Sequence, residues 1–324
     1  PWLISAKFKL VDGCNLRCFM CDYWKRDREQ ELSTAEVTAV LDDLAELRCR
    51  KVHFSGGEVL LRRDFLEICE HATTVGLRVN LTTNGTMLTK ATVRALTDIP
   101  VRSVTVSVDS PVDYVHDSIR GQENAYKRTV KGLDRLLAKR GKKTRVRINT
   151  VVSRRNYLTL LAMPDFLRER AVDGWLLIPV DSGGDSSDSM RVEDIQRYNA
   201  EVAPMLELLV KVPGFDPWVY GRSAEDHRAC SQRKYARGYY DENRCWAPWF
   251  HTLIDARGDV YPCCSGHRRV GALGSVRDSS LQEIVAGEAY QELRRTMWTE
   301  RLSICAQCDD FLSDNAAVSD VLGA

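Results

Sequence analysis

The chain has 324 residues, enough for one large α/β domain with an appendage or for two domains. Its 46 Lys and Arg against 45 Asp and Glu leave a net charge of +1, which gives no support for a general nucleic-acid or membrane-surface role. No apolar run reaches the length of a bilayer span, and the N-terminus carries no secretory signal pattern. Eleven cysteines are many for such a chain. Their odd total, clustered toward both ends around a long empty middle, reads as two metal sites in a reducing cytoplasm with some spare thiols, not as a disulfide framework.

In chain order, the first two-thirds alternate strand and helix patterns. Strands are predicted at 6–11, 51–54, 77–83, 101–108, 145–152 and 175–180 from short runs of apolar and β-branched residues. Between them lie amphipathic helices. The first starts at the capping box of Ser33 and Glu36 and turns Val37, Val40, Leu41, Leu44 and Leu47 to one face. Others are predicted at 63–74, 90–96, 125–138 and 158–171. Six β/α repeats imply a parallel sheet with right-handed crossovers, and too few units for a closed eight-fold barrel. The expected fold is therefore α/β, an open, partial (β/α)6 barrel of the TIM type. Its functional residues should lie at the C-terminal ends of the strands. The polar run 182–189 reads as a linker or loop, a polar helix follows near 192–210, and 213–245 reads as irregular. The expected division is 1–189 barrel, 190–244 linking segment and 245–324 C-terminal cysteine domain.

Two cysteine groups carry chemistry. Cys14, Cys18 and Cys21 form C-x3-C-x2-C on a loop just past the first strand. Three thiolates there can hold three irons of a [4Fe–4S] cube and leave the fourth iron open. A zinc knuckle is the alternative, but zinc usually completes four protein ligands, and no fourth is near. Cys245, Cys263, Cys305 and Cys308 form the second group, around an Arg257-Gly258-Asp259 turn that should join two strands in a hairpin. Four thiolates could hold a complete cluster or, as a zinc ribbon, one zinc ion. Cys49 and Cys69 sit on apolar helical faces and read as core residues, whereas Cys230 lacks a tight metal spacing to Cys245. Cys264 adjoins a ligand candidate and is surplus to a four-thiol site, so it is either a small hydrophobe or a free thiol.

The first triad after the first strand, followed by Ser55-Gly56-Gly57-Glu58 after the second, resembles the radical S-adenosylmethionine (SAM) superfamily over about residues 4–180. The resemblance implies an open iron that binds SAM, with Gly56, Gly57 and Glu58 around the SAM amino group. It further implies SAM contacts from polar strand ends, with Asn84, Ser107 and Asp109 as candidates and Asn149 a weaker one. Arg120, in the pattern Asp117-x-Ile119-Arg120-Gly121, reads equally as an anion-binding or a surface arginine. The C-terminal segment resembles the Twitch and SPASM extensions through CxAPW at 245–249, GDVYPCC at 258–264 and the final CxxC. A four-ligand pattern implies the Twitch form with one auxiliary [4Fe–4S] cluster, of the type found in 2-deoxy-scyllo-inosamine dehydrogenase and neomycin C epimerase.

That resemblance implies reductive cleavage of SAM to a 5′-deoxyadenosyl radical, fed by flavodoxin or ferredoxin, and hydrogen abstraction from a substrate carbon. Cys264 would return hydrogen to the opposite face in an epimerase. The auxiliary cluster would instead take an electron in a dehydrogenase. The thirteen residues before Cys14 leave no room for an N-terminal peptide-recognition domain. The expected substrate is thus a small polar natural product, aminoglycoside or aminocyclitol in kind, with a ribosomal peptide as the alternative and antibiotic biosynthesis as the setting. Asp216, Trp218, Tyr220, Glu225, Asp226, Asp241 and Glu242 would line a site for a polycation or simply form a solvated loop. The rival from another class is a non-enzymatic zinc-binding module. No nucleic-acid or membrane partner is expected.

Overall fold

A computed structural model of the chain describes residues 3–181 and 187–322. Most of the predicted run 182–189 lies outside the described residues. Six strands occur in the predicted order, the first five each followed by helix: β1 (Ser5–Val11) and α1 (Thr34–Glu46), β2 (Lys51–Gly56) and α2 (Phe65–Thr74), β3 (Arg78–Thr83) and α3 (Lys90–Asp98), β4 (Ser103–Ser107) with α4 (Asp113–Arg120) and α5 (Ala125–Lys139), β5 (Arg145–Val152) and α6 (Met163–Arg170), and β6 (Gly174–Pro179). Beyond them come α7 (Val192–Arg197), α8 (Ala203–Leu209), α9 (Ala224–Ser231), α10 (Tyr239–Glu242) and α11 (Ala247–Phe250). The C-terminal part holds β7 (His251–Ile254), β8 (Asp259–Tyr261), β9 (Gly274–Ser275), α12 (Leu281–Ala286), α13 (Glu288–Thr299) and α14 (Leu312–Leu322).

The chain folds as two compact units that interleave along the sequence, one of the crossings falling inside β3. One takes the segment up to Asp12, Asp27–Asn80 and everything from Lys234 on; the other takes Gly13–Arg26 and Leu81–Arg233. This is a different partition from 1–189, 190–244 and 245–324. Its cause is a strand pairing: β7 lies parallel to β1, with Ser5 opposite His251, so the C-terminal cysteine segment shares the unit of β1 and β2.

In the first unit the strands run β2-β1-β7-β8-β9. The β1–β2 pair is parallel, with Lys7 opposite His53 and Lys9 opposite Ser55. The expected hairpin is present, β7 and β8 being antiparallel with Leu253 opposite Tyr261. Asp255 ties its turn by accepting from the backbone of Arg257 and Asp259. Side chains alternate across strands. One face therefore carries Ala6, Phe8, Val52 and Phe54, all buried, and Phe54 meets Phe65 of α2 edge-on at 5.9 Å. The opposite face carries Lys7, Lys9, His53 and Ser55. The capping box opens α1 as predicted, Ser33 and Glu36 exchanging backbone and side-chain bonds, and Val37, Val40, Leu41 and Leu44 are buried.

In the second unit β4, β5 and β6 are parallel neighbours, with Ser107 opposite Asn149. Three local departures from the sequence reading have local causes. The predicted helix at 158–171 splits into a 3-10 turn (Thr159–Ala162) and α6, because Pro164 fixes a new helix start. The polar helix at 192–210 carries a π segment (Tyr198–Val202) just before Pro204, whose missing N–H cannot continue the ladder. Residues 213–245 are not wholly irregular, since Ser223 and Asp226 form a capping box that starts α9. No described helix is long and apolar enough to cross a membrane.

Candidate metal centres and the groups around them

The first cysteine loop belongs to the second unit and grades from inside to outside: Cys18 is buried, Cys14 half-buried and Cys21 exposed. Donors are aimed at its sulfurs. The Leu16 N–H lies 3.5 Å and Asn84 Nδ2 3.9 Å from Cys14 Sγ, and Arg120 Nη1 lies 3.8 Å from Cys18 Sγ. A thiolate accepts such bonds far better than a neutral thiol, so the loop suits metal-bound sulfur. Burial pushes the Cys18 thiol up, and the Arg120 charge opposes that shift.

The residues after β4 clamp this loop. Arg17 and Phe19 donate their N–H groups to the carbonyls of Arg120 and Ile119, at 3.0 and 3.2 Å. Gly121 ends α4 at φ 63°, and a Cβ there would lie 2.2 Å from the Arg17 carbonyl oxygen, so only glycine lets the two segments meet. Asp117 accepts from the backbone N–H groups of Asn124 and Tyr126 and so seats the start of α5. Arg120 is neither a surface arginine nor an open anion site. It is buried, and its Nε lies 2.6 Å from Asp109 Oδ2.

Two residues expected to touch SAM thus have partners within the protein. Asp109 is fully buried, pairs with Arg120 and accepts from the Val151 N–H at 3.1 Å. Asn84 bonds Asn15 Oδ1 at 2.8 Å and accepts from the backbone N–H of Thr86, so it pins the cysteine loop to the end of β3. Ser107 and Asn149 are half-buried and opposite one another in register.

Glu58 lies in the first unit, fully buried, where its Oε1 accepts from the Leu60 N–H at 3.2 Å. Gly56, at φ 138°, is required by close approach: a Cβ would lie 2.4 Å from the Val11 carbonyl oxygen. The Gly57 N–H bonds that same oxygen at 2.7 Å. The two glycines therefore fasten the end of β2 to the end of β1 and hold Glu58 at the strand terminus.

In the same unit Cys245, Cys263, Cys305 and Cys308 line one enclosed apolar cavity with Tyr240, Pro262 and Met297. Gly266 N–H lies 3.2 Å from Cys263 Sγ, and Asn315 Nδ2 lies 3.9 Å from Cys245 Sγ. Burial raises all four thiols, Cys305 to about 11 and Cys308 to about 12. Without a metal they would stay protonated at neutral pH; a bound cluster would take them as thiolates. The donor set, the enclosure and the sulfur-directed N–H groups all fit an iron–sulfur cluster. After GDVYPCC the chain forms α12 and α13. Nothing in the sequence pointed to Asn315 or Tyr240, which reach Cys245 from outside every cysteine motif.

Cys264 is absent from that cavity. Burial raises its thiol, and the charges of Lys7 and Lys9, on the face of β1 opposite Phe8, oppose that shift. His53 stands beside Lys7 in register. Burial first, then Lys7, Lys9 and Lys51, lower its pKa to about 3. Cys230 is buried on α9, its Sγ 3.6 Å from the Tyr220 carbonyl; Cys69 is a core residue of α2 as read, and Cys49 is buried too but lies past the end of α1 rather than on a helical face. In the segment 213–244 the carboxylates have local work. Asp226 accepts from the Arg222 and Ser223 N–H groups and Asp216 from the Trp218 N–H.

The fold and the two cysteine sets are those of an α/β protein that fits two iron–sulfur clusters. The chain matches the family model of the radical SAM superfamily over residues 8–163 and that of an iron–sulfur cluster-binding domain (SPASM) over 245–309. It is 30% identical over 307 residues to the AdoMet-dependent heme synthase of Methanosarcina barkeri, covering 91% of this chain and 85% of that one. To the PqqA peptide cyclase of Bradyrhizobium diazoefficiens it is 27% identical, covering 94% and 78%. The solved structure of Streptococcus suis SuiB bound to precursor peptide SuiA superposes with a TM-score of 0.71 at 15% identity, covering 95% and 71%. The chain belongs to the radical SAM superfamily, in its SPASM/Twitch branch, with SAM, a SAM-binding [4Fe–4S] cluster and an auxiliary cluster as cofactors.

Proposed function

We propose that this radical SAM enzyme removes a hydrogen atom from a carbon of a small polar substrate and returns one from Cys264, inverting that centre. The observation that carries this reading is the setting of Cys264. Its neighbour Cys263 lines the four-thiol cavity, while Cys264 does not and feels the charges of Lys7 and Lys9. The first cluster with SAM supplies the 5′-deoxyadenosyl radical that takes the substrate hydrogen. The protein's part is to hold the substrate carbon near the Cys264 S–H and to exclude water from both. The thiol gives up a hydrogen atom and becomes a thiyl. One electron and one proton, from a reductant such as flavodoxin or ferredoxin, restore it. Gly56, Gly57 and Glu58 are the proposed surroundings of the SAM amino group.

Lys7 and Lys9 favour a substrate that carries an anionic group and disfavour the polycation that an aminoglycoside would present. A second reading, oxidation with the auxiliary cluster as electron acceptor, is favoured by the complete four-thiol set. Peptide substrates belong with it, since relatives are named as peptide cyclases.

The test is Cys264→Ala, assayed anaerobically with SAM and reductant in heavy water. The variant should keep both clusters and still form 5′-deoxyadenosine. Inverted product carrying one deuterium should appear with the parent and fall at least about tenfold in the variant. Full inversion by the variant would remove the role of Cys264. A product two mass units lighter, from parent and variant alike, would establish oxidation instead.

A further inference from the structure

We infer that Arg120, held in place by Asp109, sets the reduction potential of the SAM-binding cluster by placing a buried positive charge and an N–H donor against the sulfur of Cys18. The inference rests on the first cluster, which the family fixes, and is independent of what Cys264 does. Three observations carry it. Arg120 is 8% exposed and Asp109 fully buried, so solvent screens their charges little. The distances are short: Nη1 to Cys18 Sγ is 3.8 Å, and Nε to Asp109 Oδ2 is 2.6 Å. The arrangement is also held on every side. The Arg17 N–H bonds the carbonyl of Arg120 itself, Gly121 permits that approach, and Asp109 is fixed by the Val151 N–H and by Asn156 Nδ2 on its carbonyl at 2.6 Å.

The physical consequence follows from charge. Reduction adds one electron to a cluster that shares its negative charge with the ligand sulfurs. A donor and a positive charge at one sulfur stabilise the reduced state more than the oxidised state and raise the potential. Asp109 works in the opposite sense, since its carboxylate cancels part of the guanidinium field. The pair therefore acts as a graded control. Arg120 makes the cluster easier to reduce, and Asp109 limits that gain. Arg120 is on this account a positioning and tuning residue that touches a ligand sulfur and neither SAM nor substrate.

The experiment is a redox titration of the whole reconstituted enzyme, followed by electron paramagnetic resonance of the first cluster, with the auxiliary-cluster signal as internal reference. Arg120→Gln keeps a donor and loses the charge. At a fixed applied potential its reduced-to-oxidised ratio should fall about tenfold, which for a one-electron couple is about 59 mV. Arg120→Lys should recover much of the loss, and Asp109→Asn should move the ratio the other way. The auxiliary signal should titrate unchanged in all three. An unaltered first-cluster titration in Arg120→Gln with full iron content would overturn the inference. Should Arg120→Gln fail to assemble its cluster, Asp109→Asn decides alone: a raised potential supports the inference, and an unchanged or lowered one overturns it.

Discussion

Single residues in this chain serve the cluster-binding loop at positions where the sequence pattern also points to the cofactor. Asn84 ends a strand and is polar, which are the marks of a ligand contact, yet its amide is bonded to Asn15 and directed at Cys14. Asp109 carries the same marks and is bound to Arg120. Glu58 is different. It is fully buried just past β2, where its Oε1 accepts from the Leu60 N–H. A buried carboxylate at a strand terminus suits an ammonium group such as that of SAM. Glu58→Ala should therefore weaken SAM binding by about tenfold or more while the first cluster still assembles, because Glu58 is no iron ligand. Equilibrium dialysis with labelled SAM against iron content would check it. Unchanged affinity would mean that Glu58 serves only to cap the turn that follows β2.

At the scale of elements, strands with strong alternation were legible almost to the residue, β5 (Arg145–Val152) being an example. The hairpin around Gly258 was legible too, because its turn chemistry is local. Two features were not. The α4 helix has a short, mixed sequence whose form depends on what it clamps, namely the loop of Arg17 and Phe19. The β1–β7 pairing joins residues about 246 positions apart, and no local pattern encodes it. That pairing also sets a pH dependence. His53 on β2 and His251 on β7 are both held neutral, by burial first and then by neighbouring lysines, with pKa values lowered to about 3. Their ordinary value is 6.5, so between those limits the unfolded chain binds more protons than the folded one. Stability is thus fully present above about pH 6.5 and is lost as pH falls toward 3. The urea midpoint should drop between pH 7 and pH 5, and His53→Gln should lessen that drop. An equal drop in parent and variant would assign the acid sensitivity to other groups, the cluster thiolates among them.

For the molecule as a whole, the interleaved units make a prediction about metal content. Cys14, Cys18 and Cys21 sit in Gly13–Arg26 of one unit, while Cys245, Cys263, Cys305 and Cys308 belong to the other. Each cysteine set is held by its own surroundings: Asn84 and Arg120 for the first, Gly266 and Asn315 for the second. Neither set shares a ligand with the other, so the two should load separately. Anaerobic reconstitution should give about eight irons and eight sulfides per chain. Replacing Cys14, Cys18 and Cys21 with Ala should leave about four irons and abolish SAM cleavage. Replacing the other four should leave about four as well, and should cost more stability, because those thiols lie inside a core cluster with Trp246, Phe250 and Met297. The converse order of stability would mean that the four-thiol cavity packs adequately without its metal. Four irons in the parent, with zinc recovered from the C-terminal set, would replace the auxiliary cluster by a structural zinc site. Oxidation by electron transfer to that site would then be excluded, since zinc has no redox chemistry to offer, and hydrogen return from a thiol would stand as the surviving course of the reaction.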